Sequence, residues 1–254
     1  MNYLYSFIIA GILFSSCTST EKEEIETPQE EKQMSLEELA KRHVESDLQI
    51  PSTEKYSMRI YKENLDGDAK EDAIITVNRL ENAFKTAEKS GKSAKLAEIG
   101  FMGNHNYFFY FDGALGKITP NIPVMSSPYT ELKINFINLM SDAYKDVTMD
   151  FRILNASYKD FITIKNHNPK VIFEWNEFEN LGKNNASAVY FDIVERNVGL
   201  SKDIVLYKAN LENNVIGMSD VYHFTPIIKK TNEKLYSWFY NPDQGKYCTT
   251  DKKK

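Results

Sequence analysis

The sequence predicts a mainly β, α+β chain: an antiparallel sandwich or strongly curved sheet with two or three short helices near the N-terminus. Three observations predict it. From Thr130 to Tyr247, short β-branched and aromatic runs follow one another, many separated by turn pairs such as Asn168-Pro169 and Asn213-Asn214. Helical spacing of apolar residues is confined to two stretches before residue 92. Between those stretches, an acidic, Gly-bearing loop joins two β-type runs as a hairpin.

The chain begins with a leader. Leu4 to Phe14 is an apolar run too short for the roughly twenty residues that span a bilayer, and reads as the core of a secretory signal over residues 1–16. Leu13-Phe14-Ser15-Ser16-Cys17 follows and resembles a bacterial lipoprotein box, which implies lipid attachment at Cys17. Phe14 stands where that box usually has Leu. Residues 17–33 are rich in Ser, Thr, Glu, Lys, Gln and Pro, with Ile25 alone in apolar character after Cys17. Such a segment buries too little surface to offset its ordering entropy and is expected to be a flexible tether. Glu21-Lys22-Glu23-Glu24 resembles the surface-export signal of Bacteroidetes-type lipoproteins, which implies an outer-membrane protein that faces outward.

Ser35-Leu36-Glu37-Glu38 is a capping box, so a helix opens at Ser35 and must stop before Pro51. Tyr56 to Tyr61 and Ala73 to Asn78 are the hairpin strands. Their connection, Asn64-Leu65-Asp66-Gly67-Asp68-Ala69-Lys70-Glu71-Asp72, puts oxygen-bearing side chains at positions 1, 3, 5 and 9. Carboxylates this close repel unless solvated or neutralised, and a hard cation taking six to eight oxygens neutralises them. Ca2+ held by Asn64, Asp66, Asp68 and Asp72 is the expectation. An EF-hand needs Gly at position 6 and Glu at position 12, where this chain has Ala69 and Ile75. The spacing resembles instead the short loop of FG-GAP and VCBS repeats, Asp-x-Asp-Gly-Asp-Gly-x-x-Asp, with Ala69 at a family Gly. No second copy of the loop occurs, so the resemblance covers the loop and not a propeller.

Leu80, Ala83, Phe84 and Ala87 set a second helix that Ser90-Gly91 ends. Tyr107 to Phe111 is five aromatics in succession. Alternate strand residues face opposite sides, so some of these rings are core. Tyr107, Phe109 and Trp175 are the candidate ligand platform. Further strands are expected at Leu132–Leu139, Val147–Leu154, Phe161–Ile164, Val171–Trp175, Ala188–Val194, Ile204–Tyr207, Tyr222–Ile228 and Leu235–Tyr240. Lys145-Asp146, Lys159-Asp160 and Lys202-Asp203 each precede an apolar run and read as strand entries. The folded region then divides into an α+β part, 34–128, and an antiparallel β part, 129–250.

A formal net charge of −5 argues against nucleic acid as partner. With Cys17 acylated, Cys248 has no partner for an intramolecular disulfide. The His residues show no metal-type spacing, and no nucleophile elbow or phosphate loop is present. Glu174-Trp175-Asn176-Glu177 is the closest approach to a glycosidase-like carboxylate pair. The sequence therefore points to a lipid-anchored outer-membrane protein acting as a calcium-stabilised binding or assembly module, with an envelope protein or glycan as partner. The alternative is a secreted hydrolase of envelope or extracellular glycan.

Overall fold

The structure, a computed structural model, describes residues 34–99, 103–196, 199–214, 216–218, 221 and 223–251. The signal segment, Cys17 and the tether lie outside the described residues. Ser35–Lys254 forms one compact unit.

Helix α1 (Leu36–Asp47) starts as the capping box dictates: Glu38 N donates to Ser35 Oγ and Ser35 N to Glu38 Oε2, each at 3.2 Å. Strand β1 (Ser57–Glu63) and β2 (Asp72–Asn78) pair antiparallel through the whole of both, leaving Asn64–Glu71 as the loop at their tip. Helices α2 (Leu80–Lys89) and α3 (Ser93–Glu98) follow, then β3 (Gly103–Asp112), β4 (Lys117–Ile118) and β5 (Ile122–Ser126). These strands complete a five-stranded sheet in which β3 pairs with β2, β4 and β5. Every residue of β2 is buried, because both faces of this sheet are covered. On one face Ile75, Val77 and Phe109 pack under Ala40 and Val44 of α1.

The second sheet is an eight-stranded meander. Its strands are β6 (Lys133–Ile137), β7 (Asp146–Ile153), β8 (Ala156–Lys165), β9 (Asn168–Glu179), β10 (Ser187–Val194), β11 (Asp203–Glu212), β12 (Ile227–Asn241) and β13 (Lys246–Cys248). The main core lies between the sheets: Ile74, Phe108 and Tyr110 of the first meet Ile134, Met149 and Ile162 of the second. Mainly β, antiparallel and sandwich-like is therefore the observed class. Strands β9 and β10 pair through two residue pairs only, and β10–β13 then bend back until the Tyr247 ring lies 6.0 Å from Phe173. A second core of Phe161, Phe173, Ile204 and Leu206 fills that bend.

Three expectations change. The strands expected at Tyr222–Ile228 and Leu235–Tyr240 are replaced by a single strand, β12, which starts at Ile227 and runs through polar Lys229–Lys234. That middle stretch is largely solvated and lacks the apolar alternation that marks a strand, yet Lys229, Lys230 and Lys234 still pair with β11, across two register shifts. Asn168-Pro169 is not the turn but the start of β9, and Asn166-His167 turns instead, with φ 51° and 62°. Positive φ at both central residues is the two-residue hairpin turn that matches strand twist. Lys159-Asp160 is not a strand entry: Asp160 stands in the middle of β8.

Candidate functional site

The acidic loop is locked by its own side chains. Asn64 Oδ1 accepts from Gly67 N (3.0 Å), Asp66 Oδ1 from Asp68 N (3.1 Å) and Asp68 Oδ1 from Lys70 N (2.6 Å), the self-turns that short Asx side chains make. Gly67 has φ +83° and lies so close to Tyr144 that a Cβ would sit 3.1 Å from the ring. Leu65 points the other way and is fully buried in the main core. Asp72 fastens this arrangement: Oδ2 accepts from Leu65 N (3.0 Å) and Oδ1 from Gly113 N (2.9 Å). Its carboxyl is fully buried, and burial pushes it above its usual range while the two N–H donors pull it back. Ala69 is not among the residues with positive φ, so its Cβ creates no left-handed strain there.

The structure does not gather Asp66, Asp68 and Asp72 into one ligand trio among the described residues. It gathers Asp66 with Asp112 and His167, whose ligand atoms lie within 4.8 Å of one another. Asp112 ends β3, and His167 sits on the β8–β9 turn, its Nδ1 2.6 Å from Asp112 Oδ2. Three segments from both sheets thus converge at the end of the main core. Tyr110 lies beside them, fully buried, its hydroxyl without a hydrogen bond of acceptable geometry. Burial, reinforced by the Asp72, Asp66 and Asp112 charges, drives that hydroxyl far above its usual value. No sequence spacing joins Asp66, Asp112 and His167. The one legible signal is an Asn-His pair able to take the αL conformation of a tight turn.

The aromatic platform is not assembled. Phe109 is fully buried under α1, and Tyr107 packs on the same face. Trp175 belongs to the other core, stacked on Phe173 at 6.2 Å and tilted against Trp238 at 5.5 Å.

A second acidic place lies between the sheets. Strands β3 and β5 face β7, β8 and β9 across a cavity of about 390 Å3. Its floor is apolar, with Phe108, Val124, Met149 and Ile162, and Asp160 stands in that wall with only 6 % of its surface exposed. Asp160 pairs across the strands with Glu174 of β9, and its Oδ1 has no hydrogen-bond donor. Burial first, and the neighbouring Glu174 second, push the Asp160 carboxyl up to about 7. Glu174 and Glu177 do not converge as a catalytic pair. Glu177 turns to Lys159 (3.6 Å), which also holds Asp150 on the other face of β8. Asp160 and Glu174 stand directly opposite each other on neighbouring strands and line the same cavity.

No family model matches the chain, and neither a curated protein nor a solved structure does.

Proposed function

We propose that the protein is a lipid-anchored outer-membrane module that binds or assembles, with a divalent cation fastening the acidic end of its sandwich. One observation carries the cation reading: carboxylates and an imidazole from three separate segments converge beside the buried Asp72 carboxyl and Tyr110 ring. Carboxylates clustered at the edge of a low-dielectric core repel one another, and a bound cation removes that repulsion. Ca2+ on Asn64, Asp66, Asp68 and Asp72 is the first form of the reading, supported by the loop's likeness to FG-GAP and VCBS loops. The second form is favoured by His167. Two carboxylates with one imidazole suit Zn2+ or a similar transition ion better than Ca2+, and leave a fourth position open.

Thermal unfolding of the full chain tests both. Either Ca2+ or Zn2+ raises the melting temperature over a chelator control. Asp68→Ala abolishes a Ca2+ response and His167→Ala a Zn2+ response. A melting temperature indifferent to both ions removes the cation. The anchor is supported by Cys17 behind its apolar run. Cys17→Ser is expected to lose membrane attachment, and unchanged palmitate labelling in that variant refutes the anchor. An outward-facing location rests on Glu21 to Glu24, whose replacement by Ala is expected to shield the domain from protease added to whole cells.

A further inference from the structure

We infer that the cavity between the sheets is a binding site for a small amphiphilic amine, its apolar body on the Phe108–Met149 floor and its ammonium on Asp160 and Glu174. This goes beyond the anchored, cation-fastened module and does not depend on it.

The cavity's size, about 390 Å3, falls within the roughly 300–1,000 Å3 usual for small-molecule sites. Its shape comes from sequence-neighbouring choices. Alternation along β8 sends Tyr158, Asp160, Ile162 and Ile164 to the face that meets the first sheet. Met125 and Val171 hold the rim and are 56 % and 46 % exposed, although both are large and apolar. An apolar ligand body would cover surface that the folded chain leaves in water.

The charged part is acidic throughout, with Tyr158 also in the lining. Among the described residues that line the cavity, the charged groups are Asp160 and Glu174, and none is Lys, Arg or His. A buried carboxyl oxygen without a donor is expensive to keep. Asp146 and Asp203 each have one as well, and the Asp160 oxygen differs in standing in the wall of a cavity, whereas Asp72 has a backbone donor for each oxygen. The missing partner is therefore a donor, and a positive one answers both carboxyls at once. An ammonium brings N–H groups and a charge and has no acceptor to clash with them. A metal ion fits poorly, because two carboxyls in an apolar wall leave most of its coordination unmet. A fatty acid would set a third carboxylate against the pair.

The test compares three probes of one length on the full chain: octylamine, octanol and octanoate, each by equilibrium dialysis below its aggregation concentration. Octylamine is expected to bind saturably, one per chain, with octanol about tenfold weaker or more and octanoate not bound. Asp160→Asn is expected to weaken octylamine by a similar factor and leave octanol unchanged. Glu174→Gln, at an exposed residue that does not threaten folding, is expected to weaken octylamine in the same direction. Octanol or octanoate binding as tightly as octylamine overturns the inference. So does an absence of saturable octylamine binding, or octylamine binding that both variants leave intact.

Discussion

Asp72 and Asp160 are both buried aspartates facing the core between the same two sheets, and they are built in opposite ways. Asp72 has a backbone N–H for each oxygen, from Leu65 and Gly113. It closes the acidic loop onto the core much as a cap closes a helix. Asp160 has an oxygen with no donor and an acidic neighbour across the strand. Burial raises both carboxyls, but donors oppose the rise at Asp72 whereas Glu174 adds to it at Asp160. Where the fold completes a buried acid, the acid holds the fold. Where the fold leaves one incomplete beside a cavity, the acid is available to a ligand.

The largest expected effect is at Asp160. Its folded-state value of about 7 lies above the ordinary aspartate value of 3.8. The folded chain keeps this proton through a window in which the unfolded chain has released it. The stability this group contributes is thus fully present below about pH 4, falls as pH rises through that window, and is lost above about 7. The difference amounts to about 4 kcal/mol. Asp160→Asn removes the penalty, and its amide can donate to Glu174. At pH 8 the variant is expected to melt on the order of 10 °C above the parent, and at pH 4 the two converge. Equal melting curves at pH 8 break the contrast with Asp72.

A bound cation comes next. At a hundredfold excess over Kd, Ca2+ adds about 2.7 kcal/mol, read as a chelator-sensitive rise in melting temperature. Asp72→Asn follows, with the opposite sign to Asp160→Asn. An amide can accept from Leu65 N or from Gly113 N but not from both, and the orphaned donor costs about 1–3 kcal/mol. A neutral or stabilising Asp72→Asn would erase the distinction between the two sites. The smallest effect is at Ala69→Gly. With no left-handed backbone at Ala69, glycine only frees the unfolded chain, a loss of about 0.4–1 kcal/mol. No strengthening of a Ca2+ response is expected, and a strengthened response would show that the loop rearranges around the ion.

The sequence made the completed site legible and concealed the incomplete one. Local chemistry marks α1 through Ser35 and Glu38, and the acidic loop through its spacing, since each is decided within ten residues. Asp72 is visible as an acid, but its donors come from Leu65 and from Gly113 in the turn after β3, so its role is not. His167 and Asp112 are 55 residues apart, and only the pairing of two sheets brings them together. Strand β4 escapes because Lys117–Ile118 is too short for alternation to register, and β5 because Pro123 interrupts Ile122–Ser126 as a strand signal. Asp160 was misplaced for a clear reason. Read as the entry to Phe161–Ile164, it falls at a strand end. With the strand extended back to Ala156, the row Tyr158-Asp160-Ile162-Ile164 sets a carboxyl among core residues, and that mismatch is a signal the sequence does contain.

The most direct test is the titration of the Asp160 carboxyl itself, followed by carbon NMR in the full chain with and without octylamine, the Asp160→Asn variant assigning the resonance. A midpoint near 7 in the free protein, moving down when octylamine is added, is the predicted result. A midpoint at the ordinary aspartate value, unmoved by the amine, would contradict it.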